Sequence, residues 1–160
     1  MKILAIFGIS ALMTLVSSAV LAQVYVWPWL RAMSRHQALL VMVAPHMFLR
    51  FIGLSFLVPG VVSSSLPAAF AAPAAYGDFV AGILAIAATV ALARRTPWAT
   101  ALVWVFNIWG AADLLFAIVE ALRVRIDPGA LGAAFFIPTA IVPPLLVSHA
   151  LIFRLLVKPK

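Results

Sequence analysis

Four polar residues whose side chains can bind a ligand or an ion lie inside long apolar stretches of this sequence: His46, Arg50, Asn107 and Asp113. A guanidinium at bilayer depth costs several kcal/mol unless a partner neutralises it. Asp113 is the natural counter-ion for Arg50, because a facing ion pair with further hydrogen bonds can be tolerated there. We therefore predict a buried cluster of these four residues, which either fixes the helix register or binds a small ligand, lipid or ion.

His46 and His149 are candidates for a different chemistry, the ligation of a haem iron or a metal ion. Two histidines at similar depth on different helices can supply both axial ligands of a haem. Hydrogen bonding to a neighbouring helix is the alternative role, and it requires no cofactor. The sequence contains no cysteine, which excludes disulfides and thiolate metal sites.

Catalytic patterns are not found in the sequence. It has no nucleophile beside a base, no paired carboxylates and no phosphate-binding loop. Ser148 directly precedes His149, but consecutive residues of a helix point about 100° apart, so these two cannot form a dyad. The sequence therefore favours a protein without enzymatic activity.

The composition indicates that membrane-spanning helices hold these residues. Hydrophobic residues make up 66% of the 160-residue chain and charged residues 9%, whereas soluble domains contain about 25% charged residues. The net charge of +7 does not indicate nucleic-acid binding, because the basic residues are scattered singly and in pairs beside apolar segments. We predict an all-α integral membrane protein that crosses the cell membrane several times, with the lipid bilayer as its first partner.

Turn residues and charges divide the chain into five apolar runs, each near the roughly 20 residues that one crossing needs. The runs lack the strict alternation of membrane β-strands. We predict a single domain over residues 1–160, a bundle of five transmembrane helices at about residues 3–25, 37–62, 76–93, 98–122 and 132–157.

Basic residues predict the orientation, because the side richer in Lys and Arg stays in the cytoplasm. One side of the predicted bundle has Arg31, Arg35, Arg94, Arg95, Arg154, Lys158 and Lys160, and the other has Lys2, Arg123 and Arg125. This places the N-terminus outside and the C-terminus in the cytoplasm. Residues 1–22 also resemble a secretory signal with a cleavage site before Gln23. Cleavage would put the basic-rich side outside, so an uncleaved anchor is favoured.

Depth along the helices, at 1.5 Å per residue, aligns the polar residues in two layers. His46 and Asn107 both lie about 14 Å from the cytoplasmic boundary and His149 about 12 Å, whereas Arg50 lies at about 20 Å and Asp113 at about 22 Å. We therefore expect helices two and four to touch.

Prolines are expected to interrupt two helices near these layers. Pro45 lies beside His46, and Pro143 and Pro144 free carbonyl groups near the middle of helix five. Broken helices at mid-depth often line a cavity, although prolines also bend helices simply to pack.

The remaining acidic residues of the predicted helices are Asp78 and Glu120. We place both near the outer interface, where they can pair with Arg123 and Arg125 at little energetic consequence.

Three classes of function remain. The leading hypothesis is a small polytopic protein that binds or transports a small ligand, lipid or ion at the predicted cluster. The second is an accessory or assembly subunit whose exposed faces contact other membrane subunits or further copies of itself. The third is a redox protein that binds haem or a metal through His46 and His149.

Overall fold

The computed structural model describes residues 2–157, which are mostly helical and contain no β-strand. Met1 and residues 158–160 lie outside the described residues, and Lys158 and Lys160 of the orientation argument are among them. Five helices are long and apolar enough to cross a membrane: α1 (Ile3–Arg31), α2 (Arg35–Leu57), α3 (Ala68–Ala93), α4 (Ala99–Arg123) and α5 (Ile137–Val157). The prediction of an all-helical chain with five such helices is confirmed.

Helix α3 begins at Ala68 rather than at the predicted Tyr76. Pro67 has extended backbone angles and directly precedes the helix, a position in which its missing N–H costs nothing. Pro73 lies inside the helix, although the predicted bounds put it in a linker. Prolines are tolerated in apolar helices when neighbouring groups satisfy the freed carbonyl. The earlier start changes the position that we assign to every polar residue of α3.

Helices α2 and α5 are irregular near their prolines. In α2 a regular segment, Arg35–Val43, ends just before Pro45, and a 3-10 segment, Arg50–Leu57, begins at Arg50 itself. In α5 a π-helical turn, Ile137–Ile141, ends two residues before Pro143. The predicted interruptions are therefore present, and the polar residues lie beside them.

Helix α3 is the central packing element, because it lies along both α2 and α4. Its inner face carries small side chains that are almost completely buried: Ala74, Ala75, Ala81, Ala85 and Ala88. Small residues let neighbouring backbones approach closely. Helix α1 lies at the edge against α5, and no residue of its segment Ile3–Leu21 is buried.

Two apolar clusters form the core, one toward each end of the helices. The first includes Trp27, Leu92 and Ile152, and the second includes Phe70 and Leu131. The polar residues of α2 to α5 lie between the stretches that build these clusters. Packed apolar side chains consequently separate these polar residues from both ends of the helices.

Candidate functional site

Arg50 is completely buried and holds three helices together through its guanidinium group. Its Nη1 forms an ion pair with Oδ1 of Asp78 on α3 and lies 3.4 Å from Oδ2 of Asp113 on α4. Its Nη2 donates a hydrogen bond of 2.5 Å to the carbonyl oxygen of Gly110. The expected pairing of Arg50 with Asp113 is present. The expectation that α2 and α4 touch is met only through side chains such as Arg50, because α3 lies along both helices. Asp78, however, is the closer counter-ion.

The expectation for Asp78 is wrong. The sequence predicts a position near the outer interface with Arg123 and Arg125, whereas the side chain of Asp78 is nearly buried against Arg50. The error follows from the late start given to α3: from Ala68, Asp78 lies about 15 Å along the helix axis. A signal was available in the sequence, because Asp78 shares the three- and four-residue spacing of Ala74, Ala81 and the other small residues of the inner face. Glu120 does pair with Arg123, at 2.5 Å.

Three glycines make room for the charged groups. A Cβ atom on Gly53 would overlap the carboxylate of Asp78, and one on Gly77 would overlap that of Asp113. A Cβ on Gly110 would lie 2.6 Å from Cε1 of His149 and 2.9 Å from Nη2 of Arg50. Glycine within a helix costs about 1 kcal/mol relative to alanine, and here it allows a close approach that any side chain would prevent.

His149 and Asn107 form a reciprocal pair beside the ion cluster, which consists of Arg50, Asp78 and Asp113. Nδ1 of His149 lies 2.7 Å from Oδ1 of Asn107, whose Nδ2 donates to the carbonyl oxygen of His149 at 3.2 Å. The amide oxygen can only accept, so Nδ1 carries the imidazole proton. Nε2 of His149 has no hydrogen-bond partner among the described residues, although the side chain is buried. The structure thus brings Asn107 to His149 rather than to His46.

His46 is held by α5 as well. Its Nε2 lies 2.8 Å from Oγ of Ser148, and that hydroxyl donates to the carbonyl oxygen of Leu145 at 2.8 Å. The hydroxyl proton is therefore engaged, so Nε2 of His46 donates to the serine oxygen. Within residues 2–157, Nδ1 of His46 has no partner. A serine–histidine hydrolase needs the opposite proton direction and a group that orients the imidazole, so this pair does not support catalysis.

The two imidazole rings lie next to each other, but they do not fit a haem. Their centroids are 4.6 Å apart, and Phe106 packs against both rings. Metal–nitrogen bonds of about 2 Å on opposite sides of one ion would separate the centroids by about 6 Å. The described residues also contain no group of three or more potential metal ligands. His46 and His149 do lie at the same level in the bundle. Each of them forms a hydrogen bond to a neighbouring helix, a role that requires no cofactor.

A family model described as "Domain of unknown function (DUF8737)" matches residues 6–157. The chain belongs to this family. The match includes every residue of the polar cluster and all of α2 to α5. No curated protein and no solved structure matches the chain.

Two surface grooves of this DUF8737 domain reach the polar residues. One, between α3 and α4, has a volume of about 490 Å³ and contains Asp113 in its wall. The other, between α2 and α5, has a volume of about 290 Å³ and contains His46 and Ser148. The polar residues lie between the two grooves.

A smaller cavity of about 60 Å³ lies inside the domain. Asp78 and Asp113 are the charged groups in its wall, which is otherwise apolar. A water molecule needs only about 10–15 Å³ of such volume together with polar partners. The cavity therefore has room for water or a small cation beside the two carboxylates.

Proposed function

We propose that this chain is a multi-pass protein of the cell membrane and that its buried polar cluster binds and transports a small cation. The five apolar helices support the multi-pass architecture. Arg31 and Arg35, at the facing ends of α1 and α2, and Arg94 and Arg95, between α3 and α4, support an orientation with the N-terminus outside and the C-terminus in the cytoplasm.

Cysteine labelling tests this orientation, because the chain has no cysteine of its own. Ser64 lies between α2 and α3, Ala32 lies between α1 and α2, and both are exposed. In intact cells we expect a membrane-impermeant maleimide to label Ser64→Cys, and to label Ala32→Cys only after permeabilisation. The reverse pattern would invert the proposed orientation.

The observation that carries the proposed function is the charge balance around Arg50. Two carboxylates, Asp78 and Asp113, share one buried guanidinium. With all three groups ionised, the cluster has a net charge of −1 between two apolar cores. An isolated charge is strongly disfavoured in such surroundings unless it is paired or neutralised. One bound proton or monovalent cation makes the cluster neutral, and ionisable groups inside a membrane commonly mark ion pathways.

Close contact among the buried polar groups of α2 to α5 supports the proposal that ions move between them. Nη2 of Arg50 and Nε2 of His149 both lie within 3 Å of the point that a Cβ on Gly110 would occupy. The ion cluster is therefore adjacent to the two histidines, His46 and His149. Asp113 reaches one groove and His46 reaches the other, on a different side of the domain.

An ion-flux measurement tests the proposed function. Purified protein in liposomes with an enclosed pH dye is exposed to a potassium diffusion potential, and ²²Na⁺ uptake is measured in parallel. We expect proton or Na⁺ flux above that of empty liposomes, and at least about a tenfold reduction in Asp78→Asn and Asp113→Asn, because intramembrane carboxylates carry such pathways.

The matched control is Asp127→Asn, the same chemical change at an exposed carboxylate between α4 and α5. It should retain the wild-type flux. Equal flux in all three variants would contradict a role for the cluster.

An accessory role in a larger assembly is the second candidate. It is supported by α1, where large apolar side chains such as Leu4, Leu12 and Val20 are exposed and no residue of Ile3–Leu21 is buried. Such a surface can contact other membrane subunits or a second copy of the chain as well as lipid. Correctly folded, reconstituted protein that conducts neither ion would favour this role.

A further inference from the structure

The groove between α3 and α4 combines a large apolar volume with a single charged group. Its volume of about 490 Å³ is within the range of about 300–1,000 Å³ that is typical of small-molecule sites. Three aromatic side chains, Tyr76, Trp109 and Phe116, line it and are exposed. Asp113 is the charged residue in its wall. The groove is thus aromatic on its sides and acidic at one point.

The carboxylate of Asp113 is held in place but is not fully neutralised. It lies 3.4 Å from Nη1 of Arg50, and that same nitrogen contacts Asp78 more closely. The absence of a side chain at Gly77 allows the Asp113 carboxylate to lie against α3. Two carboxylates share one guanidinium, which leaves one excess negative charge. A cation in the groove can therefore neutralise it.

The indole of Trp109 is also held in place. Its Nε1–H donates to the carbonyl oxygen of Gly77 at 3.3 Å, which fixes the ring across the gap between α3 and α4. Aromatic ring faces attract organic cations, and tryptophan does so most strongly. A fixed indole beside a carboxylate is therefore a suitable wall for a cationic ligand.

We propose that this groove binds a lipophilic organic cation, such as a quaternary ammonium or phosphonium compound with apolar substituents. The inference goes beyond the proposed function, because it adds an organic cation that binds in the groove at the carboxylate of Asp113. The apolar and aromatic walls match the body of such a ligand, and Asp113 matches its charge. The groove opens on the side of the domain that the proposed topology exposes to lipid, so the ligand enters from the membrane. A hydrocarbon chain would leave the excess negative charge beside Arg50 unneutralised, and an anion would be repelled.

Two probes of the same shape and opposite charge test this inference. Tetraphenylphosphonium and tetraphenylborate are titrated into the detergent-solubilised full-length protein, and binding is measured by equilibrium dialysis. We expect tetraphenylphosphonium to bind at least about tenfold more tightly than tetraphenylborate, because charge complementarity rejects the anion.

Variants locate the binding site. Asp113→Asn should weaken tetraphenylphosphonium binding at least about tenfold, whereas Asp113→Glu, which keeps the charge, should stay within a few-fold of wild type. Trp109→Leu should weaken binding about three- to tenfold through the lost cation–π contact. Trp98→Leu is the matched control, because Trp98 is exposed at the start of α4 and does not line the groove. Its affinity should equal that of wild type.

Equal affinity for the two probes would overturn the inference, as would unchanged tetraphenylphosphonium binding by a folded Asp113→Asn variant. The outcome is independent of the flux measurement. Selective cation binding without ion flux would support the groove and contradict the transport of protons or Na⁺. Ion flux without cation binding would support ion transport and overturn the groove as a site for an organic cation.

Discussion

Arg50→Met is expected to destabilise the protein by about 3–5 kcal/mol, the usual cost of removing one partner from a buried ion pair. The substitution leaves the carboxylates of Asp78 and Asp113 without their cation and the carbonyl oxygen of Gly110 without its donor. Methionine fills a similar space, so lost packing contributes little. Equilibrium unfolding of the detergent-solubilised protein with increasing SDS measures the change.

A compensating variant separates charge from packing. Arg50→Met combined with Asp78→Asn and Asp113→Asn removes all three charges and should recover most of the lost stability, because no unpaired ion then remains buried. Arg123→Met is the matched control, since the ion pair of Arg123 with Glu120 is exposed on the arginine side and surface pairs contribute little. If Arg50→Met were as stable as the control, Arg50 would not be a buried, paired charge.

Gly110→Ala is expected to destabilise the protein by about 1–3 kcal/mol, which is typical of overpacking a core. The added methyl group would lie 2.6 Å from Cε1 of His149 and 2.9 Å from Nη2 of Arg50. Neither neighbour can move freely, because Asn107 holds the imidazole and two aspartates hold the guanidinium. The midpoint of thermal unfolding measures the effect.

Gly8→Ala provides the matched control for this steric argument. Gly8 also lies within a helix, but a Cβ there would have no atom within 4 Å. The control should be neutral or stabilising by up to about 1 kcal/mol, the propensity difference between the two residues. In a His149→Ala background the cost of Gly110→Ala should fall, because the imidazole that it would contact is gone. The same cost in both backgrounds would exclude the imidazole as the obstacle.

Part of the site was accessible from the sequence because depth along a helix is a local property. The distance of Arg50 and Asp113 from the charged ends of their helices predicted that they meet, and they lie 3.4 Å apart. The same reasoning placed His46 and His149 at one level, and their rings are adjacent. Depth alone could not show what each imidazole contacts, and the rings prove too close to hold a haem between them.

The position of Asp78 was missed for a related reason. The stretch between residues 62 and 76 contains Pro67 and Pro73, a composition typical of a linker, which predicts a start of α3 at Tyr76 and a position of Asp78 at its outer end. A proline can occupy an apolar helix when surrounding groups satisfy the freed carbonyl, and that depends on neighbours that a single segment does not reveal. The corrected start at Ala68 brings a second carboxylate into the centre of the domain.

The sequence by itself determined the helical class, the five apolar helices and the axial level of most polar residues, because run length and charge spacing are properties of each segment alone. Only the tertiary structure decided which side chains meet. Consecutive helix residues point about 100° apart, so contact depends on how each helix is rotated about its axis and on how closely glycine lets its neighbours approach. Helix rotation and close approach at glycine bring Arg50 to Asp78 and His46 to Ser148. Neither pair follows from sequence spacing.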